Sequence, residues 1–241
     1  MTTTNDVLLK IESLSAGYGE LLALHDATME IRHAEIVALV GSNGAGKTTL
    51  LRALSRVIGI GGGRITFDGQ DLGALTSDEV FGLGLVQVPE GRQLFDRMTV
   101  RDNLLMGAHL RRDSVAVARD LERVYGLFPR LQERQKQLAG SMSGGEQQMC
   151  ALARALMAAP KLMMVDEMSL GLAPVVCEQL MGVLASIRDE GVTVLLVEQD
   201  VQLALAVADR GYVMETGRIT INGTAEQLRN DPAVRQAYLG L

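Results

Sequence analysis

The sequence predicts an α/β fold in which a largely parallel sheet is linked by helical crossovers and interrupted by a helical segment. Three observations carry this. Short apolar β-type runs alternate with helical stretches, and three of those runs are almost continuously apolar, as strands covered on both faces are. Between Thr99 and Pro160 the β signal gives way to helical periodicity. At 241 residues the chain is long enough for one large domain and short of two ordinary ones.

In chain order, β-type runs fall at VLLKI (7–11), EIVALV (35–40), GLVQV (84–88), LMMVD (162–166) and VTVLLVE (192–198). Antiparallel β elements are also expected near the N-terminus. Gly59 to Gly63 reads as a flexible turn with no assignable function, and SMSGG breaks the helical segment in its middle. RGYVMETGRITING reads as a hairpin turning at Glu215, Thr216 and Gly217, with short helices after it. The division that follows is a single domain over 1–241, with a core formed by 1–88 and 161–241 and an inserted helical subdomain over 89–160. Ligand is expected in the loops at the C-terminal ends of the parallel strands.

Composition excludes several functions. Hydrophobic residues are 47% of the chain, yet no stretch of 18 or more runs without a charge or polar break, so no bilayer span is expected. The start, MTTTNDVLLKIESL, lacks a basic region followed by an apolar run, which points to the cytosol. A net charge of -6, without a basic stripe or interleaved aromatics, argues against a nucleic-acid groove. Cys150 and Cys177 lack CxxC or histidine spacing and are expected to be buried free thiols.

The segment EIVALVGSNGAGKTTLLRAL places G-x-x-x-x-G-K-T, Gly41 to Thr48, after an apolar strand and before an amphipathic helix, the context a phosphate-binding loop requires. Gly41, Gly44 and Gly46 let backbone amides turn toward phosphate oxygens, Lys47 bridges the outer phosphates and Thr48 offers a hydroxyl to Mg²⁺. Ser42, Asn43, Ala45 and Thr49 complete the set of nucleotide contacts. A plain strand-to-helix turn would need only glycine and would leave Gly-Lys-Thr idle. LMMVDE then ends an apolar strand in two adjacent acids, Asp166 suited to the cation and Glu167 to an attacking water beside the γ-phosphate. A helix cap would account for Asp166 alone and leave the pair unexplained.

MSGGEQQMCALARAL, Met142 to Leu156, resembles the signature sequence of ABC ATPases, and with GSNGAGKTT and LMMVDE it forms that family's ordered motif set. The resemblance implies a RecA-like nucleotide-binding core. It implies that Lys47, Thr48 and Asp166 bind MgATP, that Glu167 polarises water, and that Ser143, Gly144 and Gly145 contact the γ-phosphate of ATP held by an opposite subunit. Tyr18 in AGYG resembles the aromatic that stacks on adenine. Further similarity in LVQVPEGRQLFDRMTVRDNL, MSLGLAP, LLVEQ, ADRGYVMETG and VRQAYLG points to the LivF-type ATP-binding subunits of branched-chain amino acid importers. The implied partners are a second ABC ATPase subunit, membrane permease subunits and, indirectly, a solute-binding protein, on the cytoplasmic face of the membrane and without nucleic acid.

Several positions depart from the family pattern. Glu90 stands where a Mg²⁺-contacting glutamine is usual, with Gln87 nearby, in a loop that in this family faces the permease. Met168 and Ser42 replace prolines, and Ser169 to Leu172 lacks a frequent aspartate, which leaves that loop contact duty only. Gln199 stands where most of the family has a histidine that reaches the γ-phosphate, and His25, His33 and His109 lie in no matching context. Four rival readings fit less well or no better. A P-loop kinase or GTPase lacks NKxD and a use for the signature; a soluble ABC protein usually carries paired domains or long insertions; a module holding ATP without turnover would not need Glu167; and an importer of another small solute would share every motif.

Overall fold

In the computed structural model, which describes residues 7–239, the first elements are a long antiparallel pair, β1 (Val7–Tyr18) and β2 (Leu21–Arg32). The pair is the antiparallel β structure expected near the N-terminus, although VLLKI marks only the start of β1 and no run legible in the sequence marks β2. The reason is local. Ser13 (φ 47°) and Asp26 (φ 55°) adopt left-handed conformations, the pairing register shifts around them, and each bulge breaks the two-residue alternation by which a strand is read.

β3 (Ile36–Val40), buried at every position, leads into α1 (Lys47–Leu54). β4 (Ile60–Phe67) and the short β5 (Gln70–Asp71) follow. The expectation of a flexible turn at Gly59 to Gly63 is therefore corrected, since Gly61 to Gly63 are strand residues and Gly62 pairs with Ser15 of β1. Gly63 serves close backbone approach: a Cβ on it would stand 2.3 Å from the carbonyl oxygen of Ser13 in the bulge. The first sheet has the order β2-β1-β4-β5 and is antiparallel throughout.

After α2 (Ser77–Gly82), capped by Thr76, and β6 (Leu85–Val88), the chain is helical: α3 (Val100–Gly107), α4 (Ser114–Leu127), α5 (Pro129–Glu133), a 3₁₀ turn at Ala139–Ser141 and α6 (Gly144–Leu156). It then returns to the sheet as β7 (Leu162–Asp166), α7 (Pro174–Asp189), β8 (Thr193–Glu198), α8 (Val201–Val207) and the hairpin β9 (Arg210–Glu215) with β10 (Arg218–Thr224). α9 (Ala225–Asn230), α10 (Pro232–Val234) and a π-helical turn at Arg235–Leu239 complete the described chain. Residues 1–6, on which the cytosolic reading partly rests, and Gly240 of the C-terminal resemblance lie outside the described residues.

The second sheet has the order β10-β9-β3-β8-β7-β6 and is parallel except where β10 pairs with β9. Its central strands β3, β8 and β7 are buried at every position and so covered on both faces, whereas β10 at the edge is not. Ile36, Ala38 and Val40 join the core shared with the helices, whereas Val37 and Leu39 pack toward the first sheet and α1. The C-terminal ends of β3, β7 and β8 consequently share one edge, and that edge carries the site. Cys150 and Cys177 are buried free thiols, and burial pushes the Cys150 thiol up to about 12. Among the described residues no helix is long and apolar enough to cross a membrane.

Candidate nucleotide site

The loop after β3 is shaped by what crowds it. A Cβ on Gly41 would lie 2.3 Å from the carbonyl oxygen of Met214 in β9, so only glycine lets the loop leave the sheet here. Ala45 donates its amide to the Ser42 carbonyl at 3.1 Å, and its own carbonyl accepts the amide of Gly217 at 2.7 Å. The hairpin turn at Thr216 and Gly217, found in sequence as an isolated feature, is thus a brace for the phosphate loop.

Lys47 begins α1 and is only 4% exposed. Its ammonium donates to the carbonyls of Gly41 (2.8 Å) and Ser42 (3.3 Å) and pairs with the Glu167 carboxylate at 3.1 Å. Asp166 ends β7 at 1% exposure, with its Oδ1 buried and without a hydrogen-bond partner. Burial, followed by the nearby negative charges of Glu167 and Glu90, raises the Asp166 carboxyl to about 6, while Lys47 and the Thr48 hydroxyl oppose the shift. Glu167 follows at φ 44°, its amide donating to the Val197 carbonyl of β8 at 2.9 Å.

These groups enclose a cavity of about 420 Å³, walled by Asn43 to Thr49 together with Ala23, Glu90, Glu167, Leu170 and Gln199. The structure therefore brings the phosphate loop, Glu90, Glu167 and Gln199 to one place. Asp166 lies beside Thr48 and Glu90 on an adjoining cleft. Ala23 was missed because an apolar side chain carries no chemical signal in a sequence, whereas Leu170 belongs to the loop expected to make contacts only. Gln87 lines that adjoining cleft with Asp166, and its side-chain oxygen accepts from the Ser55 hydroxyl at 2.9 Å.

Tyr18 stands outside the cavity wall. It is 46% exposed, so it is no core residue, and its hydroxyl accepts from Arg52 at 2.9 Å while the guanidinium lies 5.9 Å from the ring centroid. Ser143, Gly144 and Gly145 are also apart from this cavity, at the start of α6. Ser143 accepts from the Glu146 amide, and the Glu146 carboxylate returns to the Ser143 amide at 3.0 Å, so the serine also serves as an ordinary cap. Arg92 leans on this helix end: a Cβ on Gly144 would meet its guanidinium at 2.9 Å, and the same group donates to Gln147 at 3.1 Å. From α6, Arg154 donates back to the carbonyls of Gln93 (2.9 Å) and Arg92 (3.3 Å), tying the Glu90 loop to the helical layer. A groove of about 370 Å³ runs beside that loop, lined by Phe81, Pro89, Phe95, Met106 and His109 among others.

A second buried acid was overlooked. Glu198 ends β8 at 1% exposure and receives the amide of Ser169 at 3.1 Å and its hydroxyl at 2.7 Å. Burial raises its pKa and the Ser169 bonds oppose the rise. VTVLLVE already showed an acid closing an apolar strand, the same signal that singles out Asp166.

The residues present fit a hard divalent cation. Asp166, Glu90 and Glu167 outnumber Lys47, one Asp166 oxygen is orphaned, and a hydroxyl stands beside it. Among the described residues no group of three or more His, Cys, Asp or Glu could hold a metal unaided, which suits an ion that takes its remaining ligands from phosphates and water.

Comparison with known proteins places the chain in a family. The family described as ABC transporter matches residues 24–169, and that described as branched-chain amino acid ATP-binding cassette transporter matches 222–240. The chain is 47% identical over 234 residues to the high-affinity branched-chain amino acid transport ATP-binding protein BraG of Pseudomonas aeruginosa, covering 97% of this chain and 100% of that one. It is 34% identical to a probable branched-chain amino acid transport ATP-binding protein, LivF, of Archaeoglobus fulgidus, covering 97% and 99%. A nucleotide-free ATP-binding cassette from an ABC transporter superposes with a TM-score of 0.84 at 25% identity, over 95% of this chain and 97% of that one. With a family model covering more than half its length and a relative 47% identical over nearly the whole of both chains, the chain belongs to the ABC transporter family as an ATP-binding cassette.

Proposed function

We propose that this chain hydrolyses ATP to ADP and phosphate to energise an importer of branched-chain or related amino acids, working from the cytoplasmic face of the membrane through a permease. The observation that carries the chemistry is Lys47, almost wholly buried yet holding Glu167 at 3.1 Å across the cavity. Arriving phosphates compete for Lys47 and release Glu167 to face the water that attacks the γ-phosphate. Thr48, Asp166 and Glu90 would hold Mg²⁺, which would supply charge neutralisation at the phosphate oxygens. Glu167 orients the water and accepts its proton. Tyr18 offers its exposed ring to the adenine, and Gln199 donates a neutral hydrogen bond to the γ-phosphate.

Ser143, Gly144 and Gly145 have no role within their own cavity, which supports a dimer in which they complete a partner's site; a second ABC ATPase subunit is the favoured partner. The segment 89–160 then acts as a subdomain whose movement on closure reaches the permease through the groove beside Glu90. A solute-binding protein is engaged only indirectly. In the test, Glu167→Gln keeps ATP affinity within about threefold, loses turnover by about 10²-fold or more, and accumulates an ATP-bound dimer in size-exclusion chromatography. Hydrolysis at the parent rate removes Glu167 from the mechanism.

A further inference from the structure

β8 ends in a carboxylate that this hydrolysis scheme leaves unused. Both oxygens of Glu198 are occupied by a single residue, Ser169, through its amide (3.1 Å) and its hydroxyl (2.7 Å). One position earlier on the same strand, the Val197 carbonyl takes the amide of Glu167 at 2.9 Å. β8 thus grips the turn after β7 at two points, with the Glu167 side chain departing between them. The Cys177 thiol, 3.7 Å from the Ser169 carbonyl, adds a weaker hold.

The turn needs holding. Glu167 lies at φ 44°, where residues with a Cβ are uncommon and persist only when their surroundings over-determine them. An apolar residue at 198 would fill the same buried space without desolvating a carboxylate, so packing gives no reason for an acid here. Leu170 and Gln199, next to Ser169 and Glu198, both wall the cavity with Glu167. We propose that Glu198 is a positioning residue for ATP hydrolysis: by holding Ser169 it keeps Glu167 aimed at the γ-phosphate end of the cavity and locks the walls contributed by β7 and β8 into one unit. This rests on Glu167 being the group that polarises water.

The test uses the full-length chain by itself with MgATP, so that turnover is read at the site that holds this chain's own Glu167. Glu198→Leu lowers kcat by about 10- to 100-fold, because small misplacements of a catalytic group cost that much, and leaves KM for ATP within about threefold, because Lys47 and the phosphate loop are untouched. Amide hydrogen exchange across 167–172 accelerates while the rest of the chain is unchanged. Glu198→Gln loses less, since Ser169 can turn its hydroxyl to accept from the new amide; adding Ser169→Ala removes that rescue. Should Glu198→Leu not fold, Ser169→Ala alone carries the test, with a three- to tenfold fall in kcat, unchanged KM and the same local exchange. Parent turnover in these variants, or loss of nucleotide affinity in step with turnover without local exchange, overturns the proposal. Glu167→Gln is measured alongside: if it is inactive while Glu198→Leu is normal, only the positioning role falls, and if it turns over normally, both assignments fall.

Discussion

Asp166 illustrates at the residue scale how function opposes stability. It ends a strand buried at every position, and without a cation its Oδ1 has no partner. A carboxyl raised from 3.8 to about 6 is destabilising in its ionised form, because the folded chain binds a proton that the unfolded chain has already released. Asp166→Asn is therefore expected to raise the stability of the nucleotide-free chain at pH 7.5 by about 1–3 kcal/mol, at 1.36 kcal/mol per pKa unit. That gain shrinks as pH falls through about 6, where the parent Asp166 takes up its own proton. The same variant loses Mg²⁺-dependent tightening of ATP binding. Urea unfolding at pH 7.5 and pH 5, with MgATP titration at the higher pH, checks both; an Asn variant less stable than the parent at pH 7.5 contradicts the account. Asp166 was legible in the sequence for the reason it is costly, as adjacent acids have no place at the end of a core strand unless chemistry requires them.

At the scale of elements, the hairpin turn and the phosphate loop form one object. The Gly217 amide reaches the Ala45 carbonyl at 2.7 Å, and a Cβ on Gly217 would stand 2.3 Å from the Ala23 carbonyl oxygen. Gly217→Ala is expected to cost about 1–3 kcal/mol and to weaken ATP binding, because the backbone must move away from the loop it braces. Gly69→Ala is the control: its φ is also 77°, but nothing lies within 4 Å of its Cβ. It should cost about 1 kcal/mol and leave ATP binding alone. Equal losses of affinity in the two variants would show that the brace is incidental. The hairpin was readable from its turn residues, whereas its contact with Ala45 joins positions distant in the chain and had no local trace. The strand at Gly61 to Gly63 was misread for the converse reason: glycine suggests a turn locally, and the partner bulge that needs it sits in β1.

For the whole molecule, Gln199 is the informative departure. It shares the cavity wall with Glu167, and no histidine is part of that wall. A neutral amide gives one ordinary hydrogen bond, and charge-assisted bonds are roughly twice as strong, so this chain's own ATP site should be the slower one. In a heterodimer, the site made from a partner's phosphate loop and this chain's Ser143, Gly144 and Gly145 should then carry most turnover. We predict that the isolated chain hydrolyses ATP feebly. We also predict that Ser143→Arg, which removes the α6 cap and puts a cation over its amides, harms the complex more than Gln199→Ala does. ATPase assays with and without the second subunit decide this; strong activity of the chain alone, collapsing on Gln199→Ala, would rule it out.

The sequence by itself determined the parallel strands, the phosphate loop, the Asp166 and Glu167 pair and the family, because each is written in contiguous residues whose spacing follows a helix, a strand or a phosphate. Only the tertiary structure decided that Glu90, Glu167 and Gln199 share one cavity with Lys47, that Tyr18 lies outside it beside Arg52, and that Glu198 fastens the turn carrying Glu167. Those relations join elements far apart in the chain: Tyr18 ends β1 and Arg52 lies on α1, while Glu90, Glu167 and Gln199 follow β6, β7 and β8, neighbours in the sheet. The pairing of β7 with β8 and of β8 with β3 brings them within hydrogen-bonding reach, and no local pattern records it.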